Sequence, residues 1–169
     1  MSYDRELADE LYSALRDIAL KALRGGRSEL EPTELVNETL VRVVGSGRYD
    51  DLARVEFLAL CATLMRRILV DEARRRVVRG QDANRRLTLA GIAREEDTGV
   101  DLLGLDEALN RLAGVDPEGA RVVELRFFGG LSVAEVAEAL DVSERKVHRD
   151  WVVARAWLKR ELGRENDSS

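Results

Sequence analysis

Residues 131–162, LSVAEVAEALDVSERKVHRDWVVARAWLKREL, decide how this chain is read. Ser132 suits a helix N-cap, and Glu135 follows three residues later. That is the spacing of a capping box, in which each side chain satisfies the other residue's backbone N–H. Val133, Val136, Ala137 and Leu140 then share one helical face. Asp141 is expected at a left-handed turn position, which aspartate tolerates better than most residues bearing a Cβ. Val142 returns the turn to the core, and Ser143 caps a second helix. In that helix Val147, Trp151, Ala154 and Leu158 are spaced four, three and four apart, forming one apolar stripe with Trp151 as a core residue. Glu144, Arg145, Lys146, His148 and Arg149 lie off the stripe, in the first turns. The pattern predicts a helix–turn–helix. The N-terminal residues of such a second helix meet base edges, with basic side chains reaching guanine or phosphate.

Composition narrows what surrounds this motif. The 169 residues are 5% aromatic and 35% charged, with only two prolines. The core is therefore aliphatic, and an all-α fold of one or two small domains is expected. No stretch is apolar enough to span a bilayer. The N-terminus, MSYDRELADE, has charges where a secretory signal needs an apolar run. A cytoplasmic protein without membrane insertion is expected. Cys61 and His148 are the only cysteine and histidine, so the two cannot build a zinc site. Cys61, within FLALCATLM, reads as a buried, inert thiol. No cofactor is expected, and no acid/base or metal constellation marks an enzyme.

The net charge of −5 argues against whole-surface DNA binding, but the charge is segregated. Arginines crowd residues 66–86 and basic residues crowd 144–164, while acids gather at 4–10, 29–38 and 95–106. Two basic patches on an acidic chain point to two nucleic-acid contacts and an acidic surface for a protein partner.

Outward from the motif, apolar spacing predicts further helices over 4–24, from Pro32 to about residue 44, and over about 56–76. On the last of these, Phe57, Leu60, Cys61, Leu64, Ile68 and Leu69 form the expected buried side. Residues 46–55 read as a loop. Between Gly80 and Gly104 periodicity fades, which predicts a flexible linker docking locally through Leu87, Leu89 and Ile92. Helices resume at Leu105, and Asp116-Pro117 supplies a cap and a first helical residue for another. The division expected is 1–79, a linker 80–104, 105–163, and a frayed tail 164–169.

Three segments, PTELVNETLVRVV (32–44), FLALCATLMRRILVDEARRR (57–76) and ARVVELRFFGG (120–130) running into the helix–turn–helix, together resemble a bacterial RNA polymerase sigma factor of the extracytoplasmic-function (ECF) group of the sigma-70 family. They resemble regions 2.2, 2.3 to 2.4, and 4, respectively. The resemblance implies a non-enzymatic protein of two helical domains that binds core RNA polymerase, through the β′ clamp and the β subunit, and directs it to promoter DNA. It implies polymerase docking by Glu34, Leu35, Val36, Glu38 and Arg42. It implies −10 element contacts by Arg48, Tyr49 and Asp50 in the loop 48–55, and by Arg66, Arg67, Arg74 and Arg75. It implies −35 element contacts by Ser143, Glu144, Arg145, Lys146, His148 and Arg149, with Arg126 and Ser132 as candidate phosphate contacts at the start of the motif.

Departures from the family pattern carry their own expectations. Thr33 stands where an acid is frequent, in the first turn of its helix. A phosphate there would be favoured by the helix dipole, making Thr33 a candidate phosphorylation site for a serine/threonine kinase. An ordinary helix-start threonine is the alternative. Asp141 replaces a frequent turn glycine, and the 46–55 loop has Tyr49 rather than tryptophan as its stacking residue. An anti-sigma factor is a further candidate partner. The rival reading is a helix–turn–helix regulator that binds an operator alone. It explains 105–162 but leaves the arginine-rich helix without a role.

Overall fold

The longest apolar run of the chain, FLALCATLM (57–65), becomes the centre of the molecule. The computed structural model describes residues 5–23, 30–47, 49, 51–80, 86–87 and 100–166. Within these residues the chain forms α1 (Arg5–Leu23), α2 (Pro32–Ser46), α3 (Arg54–Val78), α4 (Leu102–Val115), α5 (Pro117–Phe127), α6 (Val133–Leu140) and α7 (Glu144–Asn166). A minimal antiparallel ladder, β1 (Arg86–Leu87) with β2 (Val100–Asp101), precedes α4. The fold is all-helical, as expected.

Sequence punctuation accounts for the helix boundaries. Pro32 opens α2, where its missing N–H costs nothing. Gly47, in left-handed geometry at φ 63°, closes α2 through its N–H to Val44 O. Asp116 caps α5 by accepting from the Gly119 N–H at 2.9 Å, and Pro117 follows at the first helical position. Two boundaries differ from expectation. Helix α4 begins at Leu102, because Leu102 and Leu105 are fully buried and anchor its first turn. Helix α7 runs to Asn166 rather than fraying after Gly163. The short ladder was also not anticipated. It uses Leu87, one of the expected docking residues, whereas Leu89 and Ile92 lie outside the described residues.

Helix α3 is apolar nearly all round. Phe57, Cys61, Ile68 and Leu69 are buried as expected, and so are Leu58, Ala62, Met65 and Val70 on its other sides. A helix with that distribution has to be covered on several faces. Here α2 covers one side while α4, α5 and α6 cover another. Helix α1 leans on α2, and α7 closes the second half over α4, α5 and α6. A single cluster of buried side chains runs through both halves, from Leu15 and Leu35 through Met65 and Leu69 to Leu109, Leu125 and Leu158.

Glycine permits a close approach between the halves. A Cβ on Gly129 would lie 2.8 Å from the Ala62 Cβ and 2.7 Å from Leu131 Cδ1. Next to it Gly130, at φ 59°, turns the chain into α6 against Ile18. The Cys61 thiol, beside Ala62 in the chain, is 1% exposed, and burial pushes its pKa up to about 12. It is the inert thiol expected.

Candidate nucleic-acid interface

The helix–turn–helix is built as its residues require. Ser132 Oγ accepts from Glu135 N–H at 3.2 Å, and Glu135 Oε2 accepts from Ser132 N–H at 2.8 Å, completing the capping box. Asp141 takes the left-handed conformation, φ 53° and ψ 50°. Its N–H and that of Val142 close the turn on Glu138 O and Ala137 O. Ser143 Oγ accepts from Lys146 N–H at 3.2 Å and caps α7. Val147, Ala154 and Leu158 are fully buried beneath that helix. Trp151 is half-buried against the core, and Arg126 stacks over its ring with the guanidinium carbon 4.6 Å from the centroid. Desolvation lowers the Arg126 pKa from its ordinary value.

The first turns of α7 present an open basic face. Glu144, Arg145, His148 and Arg149 are exposed, and Arg145 and His148 make no ion pair with any described residue. Arg149 lies 3.5 Å from Asp150 Oδ1. Lys146 is held between two carboxylates, Asp150 at 2.5 Å and Glu118 at 2.6 Å. Both raise its pKa, Asp150 the more strongly. Ser132 and Ser143 are exposed but are engaged as caps.

The arginines of α3 do not form one face. At about 100° per residue, Arg67 and Arg74 share a side while Arg66 and Arg75 lie on opposite flanks. Arg67, Arg74 and Arg75 are exposed. Arg66 is only 15% exposed, because it points into the second half of the molecule. Its Nε donates to Asp106 Oδ1 (2.9 Å), its Nη1 to Glu124 Oε1 (3.2 Å), and its Nη2 to Asp106 O (3.2 Å) and Asn110 Oδ1 (3.0 Å). Arg74 reaches Asp106 Oδ2 at 3.8 Å, and Arg121 joins Thr63 and Glu124 at the edge of the network. This corrects two expectations. Arg66 is not displayed with its neighbours, and Asp106, at the end of the acidic stretch 95–106, serves an internal cation rather than an outer surface. Tyr49 packs against the core, half-buried, and Arg48 and Asp50 lie outside the described residues.

Helix α2 is similarly divided. Leu35 and Val36 are fully buried and belong to the core, because the apolar positions 35, 36 and 43 face inward together with Thr39. They support the helix from inside and expose no surface. Glu34 is exposed but accepts from Glu31 N–H at 2.9 Å, a capping role. Glu38 and Arg42 pair at 2.9 Å, with Asp71 a further 3.8 Å from Arg42. Beside them Val41 and Val44 are exposed apolar residues. Their signal was one of excess: a 15-residue helix with six large apolar positions in this arrangement cannot turn all of them inward. Thr33 is exposed in the first turn.

Among the described residues no helix is long and apolar enough to cross a membrane, and no group of three or more His, Cys, Asp or Glu side chains could hold a metal ion. No curated protein and no solved structure matches the chain. A family model described as ECF sigma factor matches residues 3–164, nearly the whole length. With a helix–turn–helix in its second half and an arginine-bearing helix in its first, the chain belongs to the ECF sigma factor family, whose members act in transcription initiation.

Proposed function

We propose that the two basic helices divide promoter recognition between them. In this reading α7 enters the major groove of the −35 element, with Arg145, His148 and Arg149 at base edges and phosphates and Glu144 beside them. The exposed arginines of α3, Arg67, Arg74 and Arg75, carry the −10 element. Tyr49 stacks on an unpaired base from the adjoining loop. The observation that carries the reading is the open N-terminal face of α7, where Arg145 and His148 make no ion pair with any described residue, in the same chain as a second exposed arginine set. Holding a base out of the stack costs a few kcal/mol, offset by stacking of about 1–3 kcal/mol per base. Sequence-independent arginine–phosphate contacts add affinity that falls steeply with salt.

Helix α2 is the proposed seat for the clamp of the large β′ subunit of core polymerase. Glu38 and Arg42 lie next to the exposed Val41 and Val44 there, which gives a small apolar patch rimmed by charge. Thr33 is the proposed regulatory position, because a phosphate at the first turn of α2 would meet the positive end of the helix dipole. A Thr33→Ala protein that binds core polymerase and initiates in cells as well as wild type, under inducing conditions, would sink that regulatory role.

The test of the whole reading is transcription in vitro, with purified core polymerase, the full chain and a library of genomic fragments. Initiation at a defined set of promoters is expected. Footprints on DNA in the absence of core, with no initiation in its presence, would mean an operator-binding regulator instead.

A further inference from the structure

Several charged side chains around the helix–turn–helix are already taken up. Lys146 lies between Glu118 and Asp150, and Glu135 Oε1 on α6 bridges to Arg54 Nη1 on α3 at 2.9 Å. Arg126 is stacked over Trp151. Arg145 and His148 make no ion pair with any described residue. One apolar side chain stands with these two. Val152 is 52% exposed, on a helix that fully buries Val147, Ala154 and Leu158. At about 100° per residue, His148, Val152 and Arg145 fall within about 60° of one another. Lys146, Asp150 and Val153 lie about 80–140° round from Arg145, towards the flank that Glu118 of α5 holds through Lys146. Val152 therefore belongs to the open flank of α7, and Val153 to the tethered one.

We propose that Val152 is a specificity-determining residue of the −35-reading helix, its methyl groups seated on the C5 methyl of a thymine. The assignment rests on the promoter reading above and names a base type which that reading leaves open. Arg145, His148, Arg149 and Val152 stand at i, i+3, i+4 and i+7, the spacing with which a homeodomain reading helix lines the major groove. Seven residues advance a helix by about 10 Å, the rise of about three base pairs. Val152 thus meets a base about three pairs from the one that Arg145 reads. A valine side chain neither donates nor accepts a hydrogen bond, so the polar edges of the bases offer it nothing. Thymine alone puts a methyl group on the floor of the major groove. Contact between that methyl and Val152 withdraws apolar surface of both from water.

The experiment uses core polymerase carrying the full chain, and promoter duplexes at which that holoenzyme initiates. Each thymine of the −35 region, on either strand, is replaced singly by deoxyuridine, which lacks only the C5 methyl, and holoenzyme affinity for each duplex is measured. Wild type is expected to lose about fourfold at one thymine, the equivalent of one buried methyl at about 0.8 kcal/mol. Val152→Ala is expected to lose a similar factor on the unmodified duplex and nothing further when that thymine becomes deoxyuridine. Alanine is the better helix former, so α7 keeps its geometry in the variant. Val153→Ala, on the tethered flank, is expected to respond to deoxyuridine as wild type does. A wild type indifferent to deoxyuridine at every position overturns the assignment, whatever the variants do. So does a deoxyuridine response that survives undiminished in Val152→Ala. Failure of wild type to initiate at any fragment strikes instead at the promoter reading, and the assignment falls with it; initiation without a deoxyuridine response removes the assignment alone.

Discussion

Helices α3 and α7 are both long, both rich in arginine, and opposite in how they use it. Helix α7 buries a single stripe, Val147, Ala154 and Leu158, and leaves its first turns open. Helix α3 buries side chains around most of its circumference, so each of its arginines takes whatever direction the packing leaves. Arg67 and Arg74 reach solvent, whereas Arg66 is drawn into Asp106 and Glu124. Equal charge density in sequence thus gives unequal charge on the surface, and the neighbouring helices decide the difference.

The sharpest way to break this contrast is to remove the arginine itself. Arg66→Ala leaves Asp106 and Glu124, both dry, with only Arg74 and Arg121 at their edges, a change that costs up to about 3–5 kcal/mol. Native-state hydrogen exchange of α4 and α5 amides should show the loss. Arg67→Ala, one residue on, should leave stability within about 0.5 kcal/mol and reduce the salt dependence of DNA binding by about one phosphate contact. Similar stability losses at both positions would erase the distinction drawn between them.

On α7 the expected effect lies in specificity. Arg145→Ala should cost about 1–3 kcal/mol of discrimination at one position of the −35 element with the melting temperature unchanged. Binding measured against each single-base promoter variant checks it. A uniform loss across all variants would make Arg145 a phosphate contact.

A smaller change sharpens the turn between α6 and α7. Asp141 is the one described non-glycine residue with positive φ. Asp141→Gly removes the Cβ from that geometry and should stabilise the protein by about 1 kcal/mol, measured by urea unfolding, with DNA affinity preserved.

The smallest expected effect is one of pH. The Glu135 carboxyl is held below its ordinary value of 4.5, first by the Ser132 backbone N–H and then by Arg54 and the Ser132 hydroxyl. A lowered folded-state pKa means that the stabilisation is complete above about pH 4.5 and is lost as the pH falls through the folded value. Acid titration of stability should therefore be shallower in Glu135→Gln than in wild type. Identical acid limbs would remove Glu135 from both the cap and the bridge.

The helix–turn–helix could be foreseen almost residue by residue because its determinants are local. Ser132, Glu135, Asp141 and Ser143 each act within four positions of their partners. The starts of α2 and α5 were legible for the same reason, through Pro32 and the pair Asp116-Pro117. What escaped sequence reasoning is long-range. The Arg66–Asp106 and Arg66–Glu124 pairs join residues 40 and 58 positions apart, and no periodicity within α3 announces a partner on α4. Leu58, Ala62, Met65 and Val70 did carry a signal, apolar residues spread round most of one helix, which already called for cover on more than one face. The buried Leu35 and Val36 show the reverse case. A family motif singles out a helix, but inward and outward positions along it follow from packing alone.

The lone sulfhydryl at Cys61 has a practical consequence. Fully protonated at neutral pH and sealed from water, it is deaf to mild oxidants and to alkylating reagents for as long as α3 stays covered. Any event that uncovers the helix hands the chain a reactive group it did not have before. The native protein thus contains its own chemical clock for that event, readable by the rate at which a maleimide adds a single mass increment.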